Sequence, residues 1–177
     1  MRWFYFLLLV LLVLVLESGL MQLLWLPTRL GQVGPELLAV VVVFVALHVG
    51  TGAEAALAGW AAGMALDLTL SGEGMGLFSL AYALGGAGVW RVRGSFLREF
   101  ATTQAVLTFL FCLFAYEGWM LFSLALNAGA SGGPAWRHLL QALAVAVYSA
   151  VLAPLVCLLL KPLGPFIIAG YGQRDRR

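Results

Sequence analysis

The run from Trp3 to Leu26 carries one charged side chain, Glu17, and runs of similar character recur as far as Leu160. A helix of about 20 apolar residues crosses the hydrocarbon core of a bilayer, which is about 30 Å thick. Inside hydrocarbon each backbone N–H and C=O needs a partner within the protein, and unbroken apolar runs meet that need as helices. The charged fraction agrees: it is 10% of 177 residues, with 63% hydrophobic, against roughly a quarter charged in a soluble domain. The sequence therefore predicts an all-α integral membrane protein, and residues 1–177 read as a single membrane domain. The first run exceeds the roughly 7–15 apolar residues at the core of a cleaved signal peptide, and five more runs follow, so it reads as a first transmembrane helix.

Punctuation divides the chain into six expected spans, at about 3–26, 37–49, 53–70, 75–90, 100–126 and 138–160, followed by a tail over 161–177. Pro27 ends the first span, and Pro35 opens the second at a position where a helix tolerates a missing N–H. Lys161-Pro162 stops the sixth. With six spans, Arg2, Arg91, Arg93, Arg98, Lys161, Arg174, Arg176 and Arg177 fall on one side and only Arg29 and Arg137 on the other. Basic residues collect on the cytoplasmic side, so both termini are expected there. The tail is too short to span again; it reads either as an interfacial segment, with Phe166, Ile167, Ile168 and Tyr171 in the headgroups, or as a plain cytoplasmic extension.

Within this apolar chain the stretch GWAAGMALDLTLSGEGMG, Gly59 to Gly76, stands apart. Ala55, Gly59, Gly63 and Asp67 recur every four residues and share one helix face. Small residues at that spacing let another helix approach closely, and a carboxylate inside a span needs a partner. Glu17, Asp67 and Glu117 each lie about four turns past the entry of their span, about 21–24 Å along the axis. The expectation is a polar cluster in the outer half of the bundle, with Asp67 and Glu117 hydrogen-bonded in it and Glu17 hydrated by itself. The Gly59–Asp67 face and the loop Ser71–Gly74 are the expected docking places for a partner helix.

Other chemistries find little support. Cys112 and Cys157 sit in apolar runs without metal-ligand spacing and read as small buried hydrophobes. No HExxH or Walker loop is present, so no metal, cofactor, nucleic-acid partner or enzymatic activity is expected. A proton pathway would stage its acids at several depths, and these three share one. His48 and His138, both at span ends, read as capping or interfacial residues.

The order of features resembles the MreD family of rod shape-determining membrane proteins. Pro35-Glu36 opens span two, where the family usually has Pro-Asp. Gly50 follows at the turn, then Gly59, Gly63 and Asp67, then Gly72 and Gly76 in the next turn. Tyr82 and Gly85 lie in span four, and Tyr116-Glu117 fits a Tyr-Glu in span five. The resemblance implies a six-helix bundle similar to the substrate-binding subunit of energy-coupling-factor (ECF) transporters. It further implies a non-enzymatic scaffold in the bacterial inner membrane that binds MreC and helps position RodA and its transpeptidase, with MreB filaments on the cytoplasmic side. Pro35, Glu36, Gly59, Gly63, Asp67, Gly72, Gly76 and Glu117 are its implied partner-binding or structural residues. The rival reading is a vitamin-capturing ECF subunit, whose outer pocket would draw on Glu17, Asp67, Glu73, Glu117, Trp119 and Trp136. A lipid-handling enzyme ranks last.

Overall fold

The computed structural model describes residues 1–19, 26–28, 31–69, 76–95, 100–125 and 135–168. The fold is organised around one helix. The segment LLAVVVVFVALH is apolar on every face, a pattern that suits a helix enclosed by protein. It forms α2, Leu37–His48, and every residue from Leu37 to Leu47 is buried. Around it stand α1 (Trp3–Ser18), α3 (Gly52–Thr69), α4 (Leu77–Val92), α5 (Ala101–Ala125) and α6 (Ala135–Leu160), and α2 packs against all five. The closest pairings are α3 with α4 and α5 with α6, two antiparallel hairpins that close the ring.

Outward faces remain strongly apolar. Phe4, Leu8, Leu11 and Val15 on α1, Leu110 and Leu121 on α5, and Val151, Leu155, Leu158 and Leu159 on α6 are all exposed. A surface belt of this extent suits hydrocarbon, since water-soluble monomers rarely expose apolar patches beyond a few hundred Å². By length and apolarity α5 and α6 can each cross a membrane unaided; α1, α2 and α4 are apolar but shorter.

Several boundaries differ from those expected. The first helix stops at Ser18, not at Leu26: the Ser18 hydroxyl turns back to the Val15 carbonyl at 3.2 Å, and Gly19 follows with its N–H on the same carbonyl. Leu26–Thr28 (β1) then pairs antiparallel with Gly31–Val33 (β2), in the register Leu26 to Val33 and Thr28 to Gly31. Pro35 is not in the first turn of α2; it lies before the N-cap residue Glu36 and is buried. Having no N–H, it brings the chain into the core with one donor fewer to satisfy. Helix α6 begins a turn earlier than expected and carries Pro154 within it. Beyond it a 3-10 turn, Lys161–Leu163, leads into a single helical turn, α7 (Gly164–Ile167). That segment docks on the bundle: Ile167 and Ile168 are buried, and the Arg2 N–H donates to the Ile167 carbonyl at 2.9 Å. The rest of the expected tail, 169–177, lies outside the described residues.

Candidate functional site at the buried helix ends

A helix leaves its first backbone N–H groups and last carbonyls without partners inside the helix. Where such an end is buried, another part of the protein must supply the missing groups, and two of the three carboxylates flagged by the sequence, Glu17 and Asp67, do so.

Asp67 serves α4. The glycines before it bring α3 into backbone contact with that helix: a Cβ on Gly59 would stand 2.2 Å from the Tyr82 carbonyl oxygen, and one on Gly63 would stand 2.6 Å from the Phe78 oxygen and the Ser79 Cα. From the other side, a Cβ on Gly86 would stand 2.6 Å from the Ala55 carbonyl oxygen. One turn past Gly63 the buried Asp67 carboxylate accepts from the Phe78 N–H at 3.3 Å, the Ser79 N–H at 2.9 Å and the Ser79 hydroxyl at 2.6 Å. Gly76, at φ +95°, turns the chain into this arrangement through a conformation that side chains disfavour. The carboxylate also lies at the positive end of the α4 dipole, which favours negative charge. The small-residue face is thus filled by a helix of the same chain, and there is no room on it for the partner helix expected from the sequence.

Glu17 does the same for α2. From the last turn of α1 its Oε1 accepts from the Leu37 N–H and, at 3.2 Å, from the Leu38 N–H. The expectation that Glu17 would be hydrated by itself is corrected here: a buried helix start needs its carboxylate. The Glu36 N–H, next in line, donates to the Ser149 hydroxyl of α6 at 2.9 Å. The Glu36 side chain turns away and accepts from the Tyr82 hydroxyl at 2.6 Å, while its Oε2 has no hydrogen bond. The Cys112 thiol neighbours both the Glu36 carboxyl and the Ser149 hydroxyl. The polar group at this end of α2 therefore joins Glu17, Glu36, Tyr82, Cys112 and Ser149, drawn from α1, the approach to α2, α4, α5 and α6.

Arg93 closes the opposite end of α2. Its guanidinium donates to the carbonyls of Ala46 (3.4 Å), Leu47 (3.3 Å) and Val49, and lies over the Trp90 ring at 5.1 Å from the centroid. A carboxylate at the start and a guanidinium at the end both complement the helix dipole. Nearby, Glu54 takes the Met1 amine at 2.8 Å and the Gly50 N–H at 3.2 Å. His48 contacts the Phe44 carbonyl one turn back, at 2.7 Å.

Other expected site residues fall differently. Glu117 is half-buried on α5 and, among the described residues, has no hydrogen-bond partner, so it does not join Asp67. Its neighbours Tyr116 and Trp119 belong to an aromatic cluster: Phe78 stacks on Trp119 at 5.6 Å, meets Tyr116 edge-on at 6.1 Å, and Tyr82 meets Phe111 edge-on at 5.0 Å. Gly72 lies outside the described residues. Sequence reasoning missed Ser149 and the capping role of Arg93. Their faint signals are a serine in an alanine-rich stretch and a basic residue at the end of an apolar run.

A helical bundle with an apolar surface, its Glu17 and Asp67 carboxylates committed to helix starts, defines the class as a helical membrane protein. Within that class, residues 2–163 match the family model described as rod shape-determining protein MreD. The chain belongs to the MreD family. No curated protein and no solved structure shows a significant match to it.

Proposed function

We propose that this chain is a non-enzymatic, multi-pass scaffold of the rod complex in the bacterial inner membrane, with both termini cytoplasmic and a fold like that of an ECF substrate-binding subunit. The observation that carries the reading is the family match across residues 2–163. In it the chain acts as one membrane domain that binds MreC directly and helps organise RodA and its transpeptidase for peptidoglycan synthesis, with MreB on the cytoplasmic side. The interior supports a scaffold physically. Glu17, Asp67 and Arg93 are occupied in holding helix ends together, an arrangement that stiffens the bundle and leaves recognition to its surfaces. Pro35, Glu36, Gly59, Gly63, Asp67 and Gly76 are in this view structural residues, and half-buried Glu117 is the one among the described site residues left for a partner.

The test is co-expression with MreC followed by size-exclusion chromatography in mild detergent. Co-elution of the two proteins, weakened by Glu117→Ala in a variant that keeps its melting temperature, is the expected result. A folded protein that elutes without MreC and carries a small molecule through purification would overturn the scaffold and favour the capture-subunit reading.

A further inference from the structure

Helices α5 and α6 part along their outer side and leave an open groove of about 450 Å³. Ala101, Ala105 and Phe109 line it from α5, and Val147, Ala150 and Pro154 from α6. The gap follows from side-chain size, because alanines stand where larger residues would close it. Nothing charged enters the lining, and the groove opens onto the apolar belt that α5 and α6 present outward.

The groove has a polarity. Val147, Pro154 and Lys161 are seven residues apart, two turns each, and so follow one face of α6 and its continuation. Lys161 stands about 10 Å beyond Pro154 at the end of that face and is exposed. Among the described residues the one ion pair joins Met1 to Glu54, so Lys161 has no acidic partner among them. A trough lined by apolar side chains and the Thr102 hydroxyl, with an exposed ammonium two turns beyond it that has no acidic partner among the described residues, has the polarity of a phospholipid in reverse: acyl chain along the trough, phosphate at the cation.

We propose that the α5–α6 groove holds one anionic phospholipid, its acyl chain lying against Ala105, Ala150 and Pro154 and its headgroup phosphate at Lys161. The occupant is a lipid and not a partner helix because the apolar lining and terminal charge lie in a headgroup-and-tail order. The inference requires only that the bundle sit in a membrane and is independent of which proteins it binds.

Native mass spectrometry of the purified protein, titrated with palmitoyl-oleoyl phosphatidylglycerol or phosphatidylcholine, tests it. The wild type is expected to retain one phosphatidylglycerol preferentially. Lys161→Gln should lower that preference about fivefold, the scale of one lysine at an anionic surface, and Lys161→Arg should keep it. Ala150→Phe fills the trough from its outer side and should reduce retention of both lipids. Equal retention of the two lipids by the wild type, or a preference untouched by Lys161→Gln, overturns the proposal. So does an Ala150→Phe protein that binds lipid like the wild type but loses a co-purifying protein. Melting temperature, measured alongside, separates lost binding from lost fold, and the exposed Lys161 variants keep the test valid if Ala150→Phe does not fold.

Discussion

Adding one methyl group to Gly59 or Gly63 probes the contact on which the α3–α4 hairpin is built. Ordinary contact for a Cβ is 3.4–4 Å, whereas at these positions it would meet α4 backbone at 2.2 and 2.6 Å. Backbone cannot rotate aside as a side chain can, so the two helices must separate by about 1 Å. Asp67 lies one turn from Gly63, and the same movement carries its 2.9 Å and 2.6 Å bonds to Ser79 past the hydrogen-bonding range. Overpacking typically costs about 1–3 kcal/mol, and each weakened bond adds about 1 kcal/mol. Alanine's better helix propensity returns about 1 kcal/mol. The net loss is about 2–4 kcal/mol for either variant, or a melting temperature lower by roughly 5–15 °C for a chain of this size. Fluorescence-detected size-exclusion chromatography after heating in detergent measures it. Gly88→Ala is the internal control: it lies on α4 with nothing within 4 Å of its Cβ, so it should melt at or slightly above the wild type. If Gly59→Ala and Gly63→Ala melt together with Gly88→Ala, the argument for backbone contact between α3 and α4 is wrong.

Three other outcomes follow from the helix ends. Asp67→Ala strips the acceptor from two buried N–H groups and should cost about 2–4 kcal/mol, with Asp67→Asn, which keeps one acceptor, near half of that; thermal melting of the pair reads the difference. Glu17→Gln and Arg93→Gln act on opposite ends of α2, about 18 Å apart, so their losses of stability should add in the double variant within about 0.5 kcal/mol; strong non-additivity would show that the two ends are not independent. Tyr82→Phe removes the donor to Glu36 Oε1 and should destabilise the protein by about 1–3 kcal/mol, while Tyr82→Phe in a Glu36→Leu background should cost much less, a double-mutant cycle that isolates the pair.

Helix order and number were legible because a long apolar run has few alternatives in hydrocarbon. The stop at Ser18 was not. Leu20 to Leu26 continues the apolar composition, so hydropathy leaves no mark of the helix end at Ser18. The shared face of Gly59, Gly63 and Asp67 was likewise readable from four-residue spacing, but the surface it meets was not. Its partners are the carbonyls and N–H groups of α4, and backbone groups leave no mark in a sequence. The same gap hid the work of Glu17, whose ligands are two N–H groups twenty and twenty-one residues away. Arg93 was read as one of several topology charges, because the carbonyls it caps could be identified only once α2 was known to end beneath it. Depth alone suggested pairing Asp67 with Glu117, but the Asp67 carboxylate is already taken up by the Phe78 and Ser79 N–H groups and the Ser79 hydroxyl.

The enclosure of α2 also bears on how the chain enters a membrane during synthesis. At twelve residues and about 18 Å it is too short to span about 30 Å of hydrocarbon unaided, and a helix that cannot settle alone must insert with a neighbour. The turn at Gly50–Gly52 makes α3 that neighbour, so the two should leave the translocon as one hairpin. Its seal is then completed piece by piece as later segments emerge: Tyr82 and Arg93 with α4, and the Ser149 hydroxyl, 113 residues after the Glu36 N–H it accepts from, only with α6. A ribosome stalled before the last helix would leave behind a protein whose innermost element is unfinished, the kind of intermediate that membrane proteases clear.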